Sequence, residues 1–391
     1  MRFYSAVNVK EGYFDHEDSF KFISASEHRE IHRRCPVRAG DVLLRKVGVG
    51  PRWSCVVPEG LDEFSIFVSV AMIRPSDTLN PEYLSTFMNC RYGQLQLLRL
   101  NKGISQPDLH LEDITELLVP TLTSGDQIEI SNLVRDSQNL RDQSRALYVA
   151  AQGLLESELG LDKLTFQKPI GYSARFSTVS WSETFSAGRV DAQCFAPDAL
   201  FYESWLHTHA QCDHLGKLLC STAKGRQQAD SACGATDYCS IKHINAREIV
   251  DASNCFPKAD TPMAGLDDLL LAITGATIGK VGIVKRYERL AFSGDLLCLR
   301  TSESVDPHYL LLVLDHKIGQ VQFNRWITGS TNGHLAPRDA ARVLVPRLSN
   351  ETEAQIAELV KSSLSKRKES EQLLEQAKSR IEQLIEEAAR I

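Results

Sequence analysis

At 391 residues, 43% of them hydrophobic and 24% charged, the chain is long enough for two or three domains that each bury a core of their own. A formal net charge of −6 excludes a protein that coats nucleic acid through bulk positive charge, so any DNA contact must come from a local basic surface. Ten cysteines without a Cys-x-x-Cys pair, and an N-terminus "MRFYSAVNVKEGYF" that lacks a signal-peptide layout, point to free thiols in a reducing cytoplasm. Apolar runs such as 269–273 and 310–314 are too short for a bilayer of roughly 30 Å, so no membrane contact is expected.

Taken in chain order, residues 1–122 read as a first α+β domain. The runs Val42-Leu43-Leu44 and Phe67-Val68-Ser69-Val70, bounded by Gly, Pro, Asp and Asn, read as strands, and "PEYLSTFMNCRYGQLQLLR" reads as a helix with proline in its first turn. Residues 123–162 read as a long helix. Steps of four and three land on Ile130, Val134, Ser137, Arg141, Ser144, Tyr148, Ala151 and Leu155, an a/d seam of period 3.5. "LDKLTFQKPIGYSARFSTVS" links it to a second α+β domain over 163–346, with strands at Leu269-Leu270-Leu271 and Val281-Gly282-Ile283-Val284 and a helix at "PHYLLLVLDHKIGQVQFNR". Residues 347–391 read as a second long helix, its seam on Ile356, Val360, Ser363, Arg367, Ser370, Leu374, Ala377, Ile381, Leu384 and Ala388.

The two halves repeat. "GISQPDLHLEDITELLVP" and "GSTNGHLAPRDAARVLVP" have equal length and end alike, 226 residues apart, and the same offset carries Tyr83-Leu84 onto Tyr309-Leu310 and Gly93-Gln94 onto Gly319-Gln320. "GDVLLRKVG" falls on "LDDLLLAITG" with a slip of one residue, and "YSAV" from Tyr4 resembles "YCSI" from Tyr238. So long a period means a duplicated domain with its trailing helix, not a solenoid of units of about 20–50 residues. Both helices carry Ser, Arg, Ser at the same seam positions, a polar interruption that fixes register. Two surface helices on separate domains are the plainer reading of each pattern; two matched seams in one chain favour antiparallel pairing.

DNA readers need Arg and Lys for phosphates and polar side chains for base edges. The first domain offers Arg29, Arg33, Arg34, Arg38, Arg45, Lys46 and Arg52, and the second Lys217, Lys224, Arg226, Lys242, His243, Lys280, Lys285 and Arg286, with a solvated charged face as the bland alternative. The loop residues Ser105, Gln106 and Asp108, and their counterparts Thr331, Asn332 and His334, suit hydrogen-bonding readout, or merely cap their loops. "GATIGK" is followed by Val281 where a phosphate loop needs Ser or Thr, and nucleotide binding is rejected. The Cys/His-rich stretch 207–239 fits no familiar zinc spacing, so neither metal nor cofactor is expected. No Asn/Asp-Pro-Pro-aromatic motif is present to grip a flipped adenine, and the chain is not expected to be an enzyme.

The order of domain, long helix, domain, long helix, with "LLLAITGATIGKVGIV", "GSTNGHLAPRDAARVLVP" and "ETEAQIAELV", resembles the specificity (S) subunit of type I restriction-modification systems over nearly the whole chain. The resemblance implies two target-recognition domains that each read half of a split target in double-stranded DNA. It also implies an antiparallel coiled coil that spaces the half-sites and docks DNA adenine methyltransferase subunits, and it leaves open whether a restriction or translocase subunit joins them, since a standalone methyltransferase can use the same kind of S subunit. On this reading Arg33, Arg34, Arg45, Lys46, Arg52, Ser105, Gln106, Lys242, Lys280, Thr331, Asn332 and His334 face DNA. Ile130, Val134, Tyr148, Leu155, Ile356, Val360, Leu374 and Ile381 form the coiled-coil interface. The chain departs from the pattern at its start: some seventy residues precede Tyr238 in the second domain and three precede Tyr4 in the first, which reads as shortened. A coiled-coil scaffold in a phage-defence complex, reading no bases, is the alternative.

Overall fold

Capping chemistry and strand-sized apolar runs set the elements of residues 1–122 in the computed structural model, which describes residues 1–17, 19–103, 107–167, 169–173, 189, 191–329 and 332–389. The chain divides into two units, Met1–Ser144 with Ser365–Ile391, and Arg145–Leu364. In the first, Ser24 opens helix α1 (Ala25–Arg34) with a capping box, its hydroxyl accepting from Glu27 N while the Glu27 carboxylate accepts from Ser24 N. Val42–Arg45 is the middle of a three-stranded antiparallel sheet between Ser54–Val56 and Val70–Ile73. Its side chains alternate: Leu43 packs with Tyr4, Phe14 and Phe64, whereas Val42 and Leu44 pack with the buried faces of the helices that follow. A second sheet sets Arg2–Tyr4 between Lys21–Phe22 and a parallel Phe64–Ile66.

Two expectations for this unit need correction. The run 67–70 is not one strand: Phe67 N bonds the Tyr4 carbonyl and Val70 N bonds the Phe67 carbonyl, closing a turn on which Val68 is 65% exposed. The helix expected from Pro81 is two, α2 (Pro81–Asn89) and α3 (Arg91–Arg99), broken at Cys90 with ψ 168°. Gly93 explains the break, because a Cβ there would lie 2.0 Å from the Phe87 carbonyl oxygen; α3 turns back onto the end of α2 at a distance only glycine permits. The short helix α4 (Leu111–Ile114) precedes the long helix α5 (Ser124–Glu158).

The second unit repeats this plan and enlarges it. Leu269–Ala272 lies between Val281–Ile283 and Leu296–Thr301, extended to six strands by Leu219–Lys224 at one edge and Glu248–Ile249 and Ile244–Asn245 at the other. Thr236–Cys239 takes the place of Arg2–Tyr4, parallel to Leu290–Phe292. Before it come helix α6 (Pro197–His209) and strand Gln211–His214, which pairs antiparallel with Leu344–Arg347. Helices α7 (Pro307–Asp315), α8 (Lys317–Trp326) and α9 (Pro337–Ala340) then correspond to α2, α3 and α4, and the last helix is α10 (Asn350–Ala389). The pairing of Tyr4 with Tyr238 is one residue out: Tyr4 faces Ile66 and Cys239 faces Phe292, so Tyr4 corresponds to Cys239.

The duplication extends to single hydrogen bonds. Tyr83 OH donates to the Pro120 carbonyl at 2.7 Å, as Tyr309 OH does to Pro346. Gln94 Nε2 donates to the Met88 carbonyl at 2.7 Å, as Gln320 does to Leu314. The Arg74–Asp41 pair at 2.7 Å returns as Arg300–Asp268 at 2.6 Å.

Each unit holds one end of both long helices, and in each the helices pack antiparallel. In the first, Ile130 and Val134 share a core with Ala377 and Ile381, Leu374 packs beside them, and Arg380 reaches Glu129 and Asp126 while Ser137 bonds Ser370. In the second, Tyr148 and Leu155 share a core with Ile356 and Val360. The polar seam residue Arg141 lies 3.5 Å over the Tyr13 ring, and its burial pulls its pKa below the ordinary guanidinium value. A hairpin docks on the same seam position in both copies: a Cβ at Gly12 would lie 2.9 Å from Leu374, and Arg247 stacks 3.6 Å over Tyr148 and pairs with Asp315. Among the described residues no helix is long and apolar enough to cross a membrane.

Candidate nucleic-acid interface

In each unit the loop ahead of the Leu-Val-Pro run closes on itself. Lys102 N donates to the Asp108 carbonyl at 3.0 Å and Asp108 N returns to Lys102 O at 2.9 Å; Thr328 and His334 do the same at 2.8 and 2.7 Å. Gly103 and Gly329 start the two loops at φ 89° and 94°, where a Cβ would be strained. Each closing residue also bridges to the strand side, Asp108 to Val47 and His334 to Thr274.

One frame therefore presents two different rims. In the first copy Lys46 Nζ lies 3.0 Å from the Asp108 carboxylate, and Lys102 holds Asp113 at 2.8 Å while remaining 57% exposed. In the second, buried Ile273 stands where Lys46 does, and the frame closes on His334 beside exposed Asn332. Gly275 N donates to the Gly333 carbonyl, which ties the turn leading to Lys280 to this loop. Burial lowers the Lys280 pKa below the ordinary ammonium value, and no carboxylate faces it among the described residues. Ser105, Gln106 and Thr331 lie outside the described residues.

The remaining cations scatter. Arg33 and Arg34 are exposed at the end of α1, Arg34 3.5 Å from Glu30. Lys242 faces Asp230 at 3.6 Å. Next to it, His243 accepts a hydrogen bond at Nδ1 from Ser240 N, and burial followed by the Lys242 charge lowers its pKa; its imidazole is held neutral. Arg45 turns inward, its Nε donating to the Ala6 carbonyl.

Arg52 is corrected outright. It is fully buried, Nε and Nη2 both donating to Asn101 Oδ1 at 2.9 and 2.8 Å and Nη2 also to the Pro107 carbonyl at 3.1 Å. Its task is to brace the loop from beneath, where no phosphate reaches. The Cys/His-rich stretch likewise disperses: His209 stacks on Trp205, His214 bonds the Arg342 carbonyl, and Cys239 sits in the core.

No family model and no curated protein matches the chain. Among solved structures it is similar to a chain described under the complex assembly and conformational transition of the type I R-M system, at 14% identity, covering 97% of this chain and 90% of that one with a TM-score of 0.34. It is also similar to the S subunit of a type I restriction-modification system from M. genitalium (11% identity, 87% and 80% covered, TM-score 0.41). A third is the HsdS subunit from Thermoanaerobacter tengcongensis (15% identity, 97% and 89% covered, TM-score 0.32).

Proposed function

We propose that this chain is a non-catalytic DNA-specificity subunit that reads a bipartite target and directs DNA adenine methyltransferase subunits to it. The observation that carries the reading is the repetition of one domain-plus-helix unit down to individual hydrogen bonds, with α5 and α10 antiparallel. On this reading two copies of one reader serve two half-sites of a duplex, whose strands are themselves related by two-fold symmetry. Within each reader the loops 103–108 and 329–334 supply different side chains on one frame, which is what two different half-sites require. On this reading Lys102, at the neck of the first loop, and Lys280, at the end of the turn that bonds the second loop through Gly275 and Gly333, serve as phosphate partners.

Catalysis belongs to the partner, since the chain has no Asn/Asp-Pro-Pro-aromatic motif. Methylome sequencing of cells with and without the gene tests the reading. Loss of one split adenine-methylated motif is the expected result; an unchanged methylome overturns it and leaves a scaffold that reads no bases.

A further inference from the structure

The two copies differ in what lies against their third helices. In the second unit α6 packs on α8, and Arg325, 4% exposed, donates to the Cys194 carbonyl at 2.8 Å and pairs with the Glu203 carboxylate. The strand Gln211–His214 covers Leu344, which is 5% exposed. In the first unit the same positions are Arg99 and Leu118. Leu118 is 77% exposed, Leu95 and Leu98 of α3 are about half exposed, and Arg99 is exposed with no ion pair among the described residues.

The support beneath is intact. Leu118 exchanges two hydrogen bonds with Gln96 (2.9 and 3.1 Å), as Leu344 does with Gln322 (2.7 and 3.1 Å). The backbone at 118–121 is thus held in place, with no strand beside it among the described residues. An unpaired edge next to exposed leucines and a lone cation is a template for strand addition.

We propose that this face docks a helix–strand segment of a partner polypeptide. Its strand runs antiparallel to 118–121, its apolar helix side covers Leu95 and Leu98, and a helix carboxylate meets Arg99, as Glu203 meets Arg325. A second copy is a poor donor, because Ala199, Tyr202 and Leu206 of α6 are already buried in their own unit. The inference rests on the comparison of the two copies and not on DNA reading.

A labelled peptide of this chain's own residues 191–217 is the probe, titrated onto the full chain by fluorescence anisotropy. Saturable one-to-one binding is expected, weakened more than about tenfold by Leu118→Arg or Arg99→Glu. A peptide carrying Glu203→Lys should restore binding to Arg99→Glu. Both substituted residues are exposed, so folding is preserved. Absence of saturable binding, or equal binding by the variants, overturns the proposal; so does a dimer of the chain that Leu118→Arg disperses, which would make a second copy the occupant.

A separate observation concerns α1. His28 and His32 stand one turn apart, and each offers a ligand atom within 4.8 Å of the other's and of the Glu63 carboxylate. His28 is buried, its Nδ1 2.9 Å from Ser65 Oγ; with that hydroxyl accepting, the Nε2 lone pair faces Glu63 at 3.6 Å. An ion pair would account for His28 and Glu63 but not for His32, whose Nδ1 is enclosed without a hydrogen-bond partner. The geometry points to a transition-metal site of two imidazoles and a carboxylate, suited to Zn²⁺ with one position open, that ties α1 to strand Phe64–Ile66.

Zinc titration of the full chain, with the bound metal counted after dialysis, tests this. One equivalent is expected, lost in His32→Ala and Glu63→Ala, with affinity about 10–100-fold weaker in Ser65→Ala. Circular dichroism separates loss of the metal from loss of the fold. No retained zinc, or a full equivalent in His32→Ala and Glu63→Ala, overturns the site.

Discussion

Ser137 donates its hydroxyl proton to the Ser370 carbonyl at 2.8 Å, and the two hydroxyl oxygens lie 2.9 Å apart, both side chains buried. Side chains this small let the backbones of α5 and α10 approach, and the shared polar atoms fix which residues meet. Ser137→Ala should cost about 1 kcal/mol, because the Ser370 hydroxyl loses its acceptor. Ser137→Leu should cost more, about 1–3 kcal/mol, by forcing the helices apart. Urea unfolding of the full chain measures both, and a leucine variant as stable as the parent would show that this layer does not set the packing.

The duplicated tyrosine hydroxyls allow a matched comparison. Tyr309 bonds Pro346 in a fully buried setting and Tyr83 bonds Pro120 in a partly buried one. Burial raises both phenol pKa values well above ordinary, so both remain donors across the physiological range. Removing either hydroxyl orphans a proline carbonyl, at about 1–3 kcal/mol when water cannot replace it. Tyr309→Phe should therefore lower the thermal midpoint more than Tyr83→Phe. Equal shifts would mean that the Pro120 carbonyl is as closed to water as Pro346.

What was legible in the sequence is what repeats or has a period. The seam from Ile130 to Leu155 and from Ile356 to Ile381 follows from side-chain spacing alone, and the 226-residue offset exposes the second copy. Arg52 was not legible, because its burial depends on Asn101 and Pro107, some fifty residues away, and a guanidinium reads as a surface group until its partners are known. The break at Cys90 depends on the close approach of Gly93 to Phe87, a tertiary contact without a local signal. The "HREIH" spacing of His28 and His32 is visible, but only the fold brings Glu63 beside it.

The loop frames separate readout from support. His334→Ala together with Asn332→Ala should relax base preference by about 1–3 kcal/mol per good contact, whereas Lys280→Ala should weaken binding to all sequences and reduce its salt dependence. Arg52→Ala should behave differently from all of these and lower the unfolding midpoint, since it removes the brace under 101–108. Methylation profiling and thermal unfolding of the same variants check both halves. Unchanged specificity in the loop variant would move the reading surface elsewhere.

The cysteines divide by burial. Burial pushes the Cys212 thiol up to about 11 and those of Cys239 and Cys298 up to about 12, while Cys220 and Cys233 are exposed. Because the thiolate is the nucleophile, alkylation of the native chain at pH 8 should label Cys220 and Cys233 first and leave the buried thiols until unfolding. Peptide mass spectrometry over a time course reads the order. Early labelling of Cys239 or Cys298 would show that the sheet beneath them opens readily.

The helices themselves carry the strongest test of a split target. A helix rises about 1.5 Å per residue and B-DNA about 3.4 Å per base pair, so one heptad adds roughly 10 Å, or about three base pairs. Inserted in both α5 and α10, a heptad preserves the seam; four residues, about 6 Å, would rotate the apolar stripe off its partner and should damage folding more. Because α5 spans Ser124–Glu158 and α10 spans Asn350–Ala389, and each unit holds one end of both, insertion after Ser144 and after Leu364 leaves the packed ends intact. The paired heptad should lengthen the unspecified gap of the methylated motif and leave both half-sites unchanged, read by methylome sequencing. If the protein folds and methylates at the original spacing, α5 and α10 serve as a docking platform, and the distance between half-sites is set by another part of the complex.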